Sequence, residues 1–546
     1  MDRRLLLAIA LSVLVVIAYQ EYLRIFYPQR RTPPVAAPRE TRAPEARAPT
    51  VSPREAPAEP PGITESPESP AETATPPVAD VRIETAVLEA ELASRGARLM
   101  SLRLKKYRAS LDPQSPGFQL VSPGMTELPL GMKLRGGDAA WNDWQLRYEP
   151  SASSLVLGEG ESGSVVFRAS LPDGGEVEKH FRFTGERYDF TVGILVRDGA
   201  GRYSEAALSW TRQPEKEQTS FGFHGVEALV GQKVLHFDTA ELARGVIVPD
   251  ARSGAGTAPL RWAGYADTYF LSAIAPGGSE SPRLWVKEQP ETGVVSTEVL
   301  VPIASAAKEP YPFAVYTGPK DLAVLAGAGH DLTRAVDLGW FGFVAEPMLH
   351  VLKFFHRMTA NYGLDIILLT VLIKVLFFPL TQKSFRSMQD LQKLQPELKK
   401  LQERFKEDRE QLNKEVMELY RRHKVNPLGG CLPMLFQMPI FIGLYNALLS
   451  AVELRHAPFA LWINDLSSPD RLPALPNPPL AVLYGYDIRI PVLTLLMGAS
   501  MLVQQKMSPP AADPMQQRMM MLMPVIFTVM FVNFPAGLVL YWLVNN

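Results

Sequence analysis

Four long apolar segments crowd the last third of this chain, and they dictate more about its fold than any other feature. They run from Leu364 to Leu380, Gly430 to Val452, Ile490 to Val503 and Met519 to Val544. Segments of this length with almost no charge read as membrane-spanning helices, each of which satisfies its own backbone N–H and C=O groups without water. The average hydrophobic content of 47% conceals them, because those residues gather at the N-terminus and in the C-terminal third. The last segment is broken by Phe534-Pro535-Ala536-Gly537, a turn signal, so it reads as a helical hairpin. Its second arm, Ala536 to Asn546, rises only about 16 Å, half a bilayer core, so the sequence is expected to stop short of the end of its last helix. Two spans, Ile490 to Val503 and Met519 to Phe534, are short for a bilayer, which predicts local thinning around them.

The connection between the first two spans sets the orientation. From Lys383 to Lys424 it is dense in cations, among them Lys399, Lys400, Arg404, Arg421 and Arg422. It is also short enough for the positive-inside rule to place it in the cytoplasm. Counting from there puts the N-terminus inside, the region before the first of these spans outside, the loop from Glu453 to Arg489 outside and the loop from Lys506 to Arg518 inside. Stripes at Leu391, Leu394, Leu398, Leu401 and at Leu412, Val416, Leu419, Tyr420 flank Glu407-Asp408-Arg409, predicting two antiparallel helices. A cytoplasmic hairpin over 383–424 thus lies within a helical core spanning 361–546.

Upstream, Met-Asp-Arg-Arg precedes an apolar stretch from Leu5 to Tyr19 with no small-x-small cleavage site after it, so residues 1–24 read as a retained anchor. Residues 25–80 are mostly Pro, Ala, Glu, Thr, Ser and Arg, too poor in apolar surface to offset chain entropy, and read as a disordered tether. From 81 to 320 the texture changes to short alternating segments such as Lys179-His180-Phe181-Arg182-Phe183 and Pro312-Phe313-Ala314-Val315-Tyr316. Period-two alternation between turn residues predicts an all-β sandwich. Over 337–359, Leu338, Phe341, Val344, Met348, Val351, Leu352 and Phe355 recur at helical spacing, with Pro347 as a kink point. This is an amphipathic helix suited to a membrane surface; packing on the β domain is the simpler alternative.

The net charge of -1 says nothing about partners, and the single cysteine, Cys431, excludes an intrachain disulfide. His180, His224 and His236 form no catalytic or metal-binding motif, which argues against a sugar-processing enzyme in the β region. A secondary transporter would call for intramembrane carboxylates and paired repeats, and neither is seen. No cofactor or metal is expected. One ionisable group does lie deep in a span: Lys374, about 13 Å along the helix before Lys383. A lysine at mid-membrane costs roughly 2.5–3.5 kcal/mol, and its side chain is too short to reach the surface by snorkelling. A hydrated cavity is therefore expected around it, with Thr370 one turn away and Gln437, Gln504, Gln505, Thr528, Tyr541 and Asn545 as polar companions on other spans. Such a cavity, open sideways to lipid, could hold the polar flank of an entering helix without breaking any bond.

Five motifs carry a family resemblance: Lys374-Val-Leu-Phe-Phe-Pro-Leu-Thr381, Val425-Asn-Pro-Leu-Gly-Gly-Cys-Leu-Pro433, Gln437-Met-Pro-Ile-Phe441, Asp513-Pro-Met-Gln-Gln517 and Phe534-Pro-Ala-Gly-Leu-Val-Leu-Tyr541. With Trp262, Tyr269-Phe270 and Gly339-Trp340 further upstream, the chain resembles the YidC membrane protein insertases of Gram-negative bacteria over nearly its whole length. The resemblance implies a multi-domain membrane protein: an all-α transmembrane insertase core of five helices plus an N-terminal anchor helix, with a large periplasmic all-β supersandwich domain. It implies a multi-pass protein of the bacterial inner membrane that moves client segments from the cytoplasmic side into the bilayer through a hydrophilic groove. The groove residues would be Lys374, Thr370, Gln437, Thr528 and Tyr541. Implied partners are nascent membrane proteins, the Sec translocon, the ribosome and the lipid bilayer, with no sequence-specific nucleic-acid recognition. The family's groove position is often arginine; lysine keeps the charge but not the planar fork.

Overall fold

The computed structural model describes residues 79–546, apart from 138, 173, 199, 214–222, 238–241, 243–245, 249–257, 279–281, 290, 305–306, 407, 424, 426–431, 473–489 and 508–513. The anchor, almost the whole tether and Cys431 lie outside the described residues.

Strands between Ala79 and Pro319 form three sheets. The largest is nine-stranded, with Phe270–Pro276, Tyr311–Pro319, Asp189–Arg197 and Glu176–Thr184 adjacent at its centre. A six-stranded sheet is built around Val295–Pro302 and Glu205–Arg212, and a five-stranded one around Leu88–Ala93. Pairing is antiparallel except where Ala79–Glu84 meets Ser154–Val156. The alternation read in the sequence decides which face is buried: Lys179, Phe181 and Phe183 point inward while Arg182 is exposed. Lys179 is the surprise on that inner face. Its ammonium lies 2.5 Å from Asp143 and donates to the carbonyls of Gly96 and Leu130, and Asp143 also accepts from Arg98 (3.2 Å). Burial lowers the Lys179 pKa to about 8, against the opposing pull of Asp143.

The helices follow in order: α1 (Leu322–Ala328), α2 (Gly342–Thr359), α3 (Tyr362–Lys393), α4 (Gln395–Arg404), α5 (Arg409–Arg422), α6 (Leu432–Ser450), α7 (Val492–Met507), α8 (Pro514–Phe531) and α9 (Ala536–Asn545). Asp321 caps α1 by accepting from Ala323 and Val324, and Asn361 caps α3 by accepting from Gly363 and Leu364. The amphipathic helix begins at Gly342 rather than Asp337, because Gly339 takes a positive φ and breaks the run; Trp340 is left almost fully exposed. Pro347 sits within α2.

The charged hairpin is also placed differently from the expectation. Nothing breaks the chain after Leu380, so α3 continues through Lys383 to Lys393, and only α4 and α5 form the hairpin. Leu394, at the junction of α3 and α4, and Leu419 of α5 are buried, and His423 lies 3.6 Å from Glu397. The turn signal at Phe534 separates α8 from α9, as the sequence indicates.

Among the described residues, α3 is the one helix long and apolar enough to cross a membrane; the apolar stretches Leu435–Ser450, Met519–Phe531 and Ala536–Asn545 are shorter. The short α9 sits at the centre, buried from Ala536 to Tyr541 and packed against α3, α6 and α7. The outer surfaces of α3, α6 and α8 expose Val375, Leu376, Leu435, Phe436, Val529 and Met530, among others. So extensive an apolar exterior is what lipid would cover.

A polar joint links the β domain to this bundle. Lys353 of α2 bridges Asp321 (3.0 Å) and Glu453 (2.6 Å). Nearby, Arg455 lies over the rings of Phe118 and Phe270 and donates to the carbonyls of Arg108 and Ala109.

Candidate functional site: the recess beside Lys374

A recess of about 400 Å³ opens between α3 and α9, lined by Thr370, Val371, Lys374, Val375, Phe378 and Val544. Helical spacing places Thr370, Lys374 and Phe378 on one strip of α3, with Val371 and Val375 beside it. Four of these walls are apolar and one is a cation. The Lys374 ammonium donates to the backbone carbonyl of Asn545. No carboxylate among the described residues lies within ion-pairing distance of it, and its side chain is exposed.

Thr370 is buried and directs its hydroxyl back to the Ile366 carbonyl (2.7 Å), the usual outlet for a threonine inside a helix. It therefore supplies shape more than a free hydrogen-bonding group. Tyr541, fully buried, accepts from Gln437 Nε2 (2.8 Å), which also approaches Asn545 Oδ1 (3.5 Å). Asn545 thus joins α3 to α6: its carbonyl takes Lys374 and its side chain takes Gln437. Of the residues singled out from the sequence, Lys374, Thr370, Gln437 and Tyr541 are brought together, though Gln437 and Tyr541 stand behind the recess rather than on its wall.

Thr528 is not part of this set. Its hydroxyl donates to the Pro524 carbonyl (2.7 Å), and it packs on Gly498, where any added Cβ would collide with it. It belongs to the contact of α7 with α8. The sequence gives its depth in the span but not its rotation about the helix, because α8 is apolar on most of its circumference. The valines and Phe378 lining the recess read in the sequence only as ordinary span residues.

The histidines of the β domain are each engaged locally: His180 with Glu178 (2.6 Å), His236 with Glu227 (3.3 Å), His224 with Thr268 (3.3 Å). Among the described residues no cluster of His, Cys, Asp or Glu could hold a metal ion.

The geometry defines a class: a membrane protein with a helical core, carrying a large β domain and a singly charged recess on the side of the bundle. Comparison with known proteins places it more closely. The family described as 60Kd inner membrane protein matches residues 354–546, and the family described as YidC periplasmic domain matches residues 80–351. A membrane protein insertase YidC from Syntrophobacter fumaroxidans is 39% identical, covering 100% of this chain and 98% of its own. One from Pelobacter propionicus is 37% identical, covering 100% and 97%. A crystal structure of an active YidC insertase with its first transmembrane domain resolved aligns over 84% of this chain and 89% of its own, at 16% identity and a TM-score of 0.35. The chain belongs to the YidC membrane protein insertase family.

Proposed function

We propose that the protein inserts client transmembrane segments into the bilayer, and that the Lys374 recess is where a client's polar flank rests during transfer. The observation that carries this reading is an exposed ammonium which, among the described residues, is held by a backbone carbonyl and no carboxylate, in a hollow walled mostly by apolar side chains. Moving a charged residue to mid-membrane costs roughly 2.5–3.5 kcal/mol; a fixed cation in a wet hollow offsets much of that cost for an acidic flank while the apolar part of the client partitions sideways past Val371 and Val375. No bond is made or broken, so the protein acts as a catalyst of partitioning and not as an enzyme of covalent chemistry. The Gln437–Tyr541 pair holds the α6–α9 contact behind the hollow, and Thr370 shapes its floor.

In this reading the molecule is a multi-pass protein of the bacterial inner membrane, with residues 1–24 as anchor, 25–80 as tether, the β domain of 81–320 in the periplasm and α2 along the outer surface. The basic hairpin α4–α5 faces the cytoplasm, where it meets ribosomes delivering nascent chains, and the core works alone or beside the Sec translocon. The positive-inside distribution and the family membership support this arrangement. Photo-cross-linkers at Val375 and Val544 should trap a short nascent client during synthesis, with capture weakened by Lys374→Glu when the client's flank is acidic. Capture of lipid alone at both positions sinks the proposal.

A further inference from the structure

α9 forms one wall of the recess, yet it is only ten residues long and has no side-chain cap. Its first amides look outside the helix for acceptors. Ala536 donates to the Ser468 carbonyl (2.8 Å) and Gly537 to the Leu466 carbonyl (2.9 Å), while Pro469 pairs with Pro535. Gly537 is also where α9 crosses α3: a Cβ there would sit 3.2 Å from both Ile366 Cδ1 and the Leu466 oxygen. The depth of α9 against α3 is therefore set by the loop that follows α6.

Two carboxylates hold that loop in shape. Asp465 accepts from the amides of His456 and Ser467 and from the hydroxyls of Ser467 and Ser468. Asp470, almost fully buried, accepts from Trp462 Nε1 (2.7 Å) with one oxygen and from the Leu493 amide with the other. The second contact caps the N-terminus of α7 with a full negative charge, where the helix dipole favours it. The next residue, Arg471, donates to the Val532 carbonyl (2.7 Å) and to Asn533 (2.9 Å), just past the end of α8. Seven consecutive positions, 465 to 471, thus grip α7, α8 and α9 at one end.

We infer that Asp470 is a positioning residue for the recess: by fixing this loop against α7, it fixes the start of α9 and hence the spacing of the two walls that carry Val544 and Lys374. The inference rests on the recess being the working surface, and its test separates the two. With Cys431 replaced by serine, cysteines at Val371 and Val544 report the gap between the walls through their disulfide yield. Asp470→Ala removes both acceptors, and the yield should fall at least about fivefold, while insertion of a single-span client into proteoliposomes falls by about tenfold. Asp470→Asn keeps one oxygen acceptor and should restore more than half of each, a rescue that general loosening of the bundle would not give. If Asp470→Ala proves too poorly folded to purify, Arg471→Gln takes its place, with the same fall in disulfide yield expected from releasing α8. A disulfide yield unchanged in these variants overturns the positioning role. A lost yield with undiminished insertion keeps the positioning role and overturns the recess as the working surface.

Discussion

Replacing Lys353 with methionine should unfasten the β domain from the bundle in a pH-dependent way. The wild-type joint sets one ammonium between two carboxylates, 3.0 Å from Asp321 and 2.6 Å from Glu453, with the Lys353 side chain 31% exposed. Burial pushes the Glu453 carboxyl up, and Lys353 only partly opposes this; burial would also raise Asp321, but Lys353 and neighbouring hydrogen bonds hold it below the usual carboxylate range. Removing one partner of a buried ion pair costs roughly 3–5 kcal/mol, and solvent at this joint reduces that to about 2 kcal/mol, some thirtyfold in the docked equilibrium. The sign follows from linkage. Glu453, with its pKa raised on docking, favours the docked state at low pH and loses that contribution as pH rises through the docked value. Without Lys353 its pKa rises further, so docking should weaken as pH rises through that raised value and recover at lower pH, where a protonated Glu453 can donate to Asp321. The tyrosines around the joint do not interfere: Tyr107 and Tyr188 are both pushed up by burial, Tyr188 to about 12, and Tyr316 is likewise raised. Spin labels at Glu159 and Arg357, in a Cys431→Ser background, would report the joint by their distance distribution. A distribution in Lys353→Met as narrow as wild type at the higher pH would refute the reasoning.

Other predictions concern the recess and the β core. Lys374→Glu should slow insertion of clients with acidic flanks most, by an order of magnitude, while Lys374→Arg retains most activity; equal rates across a client panel would remove the charge from the mechanism. Tyr541→Phe deletes the acceptor for Gln437 at a cost of about 1 kcal/mol, visible as a lower melting temperature of the detergent-solubilised protein. Lys179→Met leaves Asp143 buried with Arg98 as its remaining cation and should destabilise the β domain by about 3 kcal/mol in urea unfolding of residues 79–320.

Where the chain is apolar without interruption, the sequence discloses the fold well. The Phe534-Pro535-Ala536-Gly537 turn and the strands around Phe181 and Val315 can be read directly, because breakers and period-two alternation are local signals. The burial of Lys179 is implied by that same alternation, since it shares a parity with Phe181 and Phe183, but its partner Asp143 is distant in sequence and nothing local names it. The continuation of α3 past Lys383 is hidden by the change in composition, which marks where lipid ends and not where the helix does. Lys374 stands out because charge in a span is costly, whereas Thr528 misleads because a hydroxyl can return its bond to its own helix and leave no trace of which way it faces.

α3 carries Lys374 and, about 29 Å further along the same unbroken rod, the base of the basic hairpin. Between them stands Pro379, which lacks the amide that would tie it to Val375 and so gives the rod one compliant point just beyond the recess. Any swing of α4 and α5 relative to the bundle would therefore concentrate at Pro379, an elbow set directly beside the charged hollow.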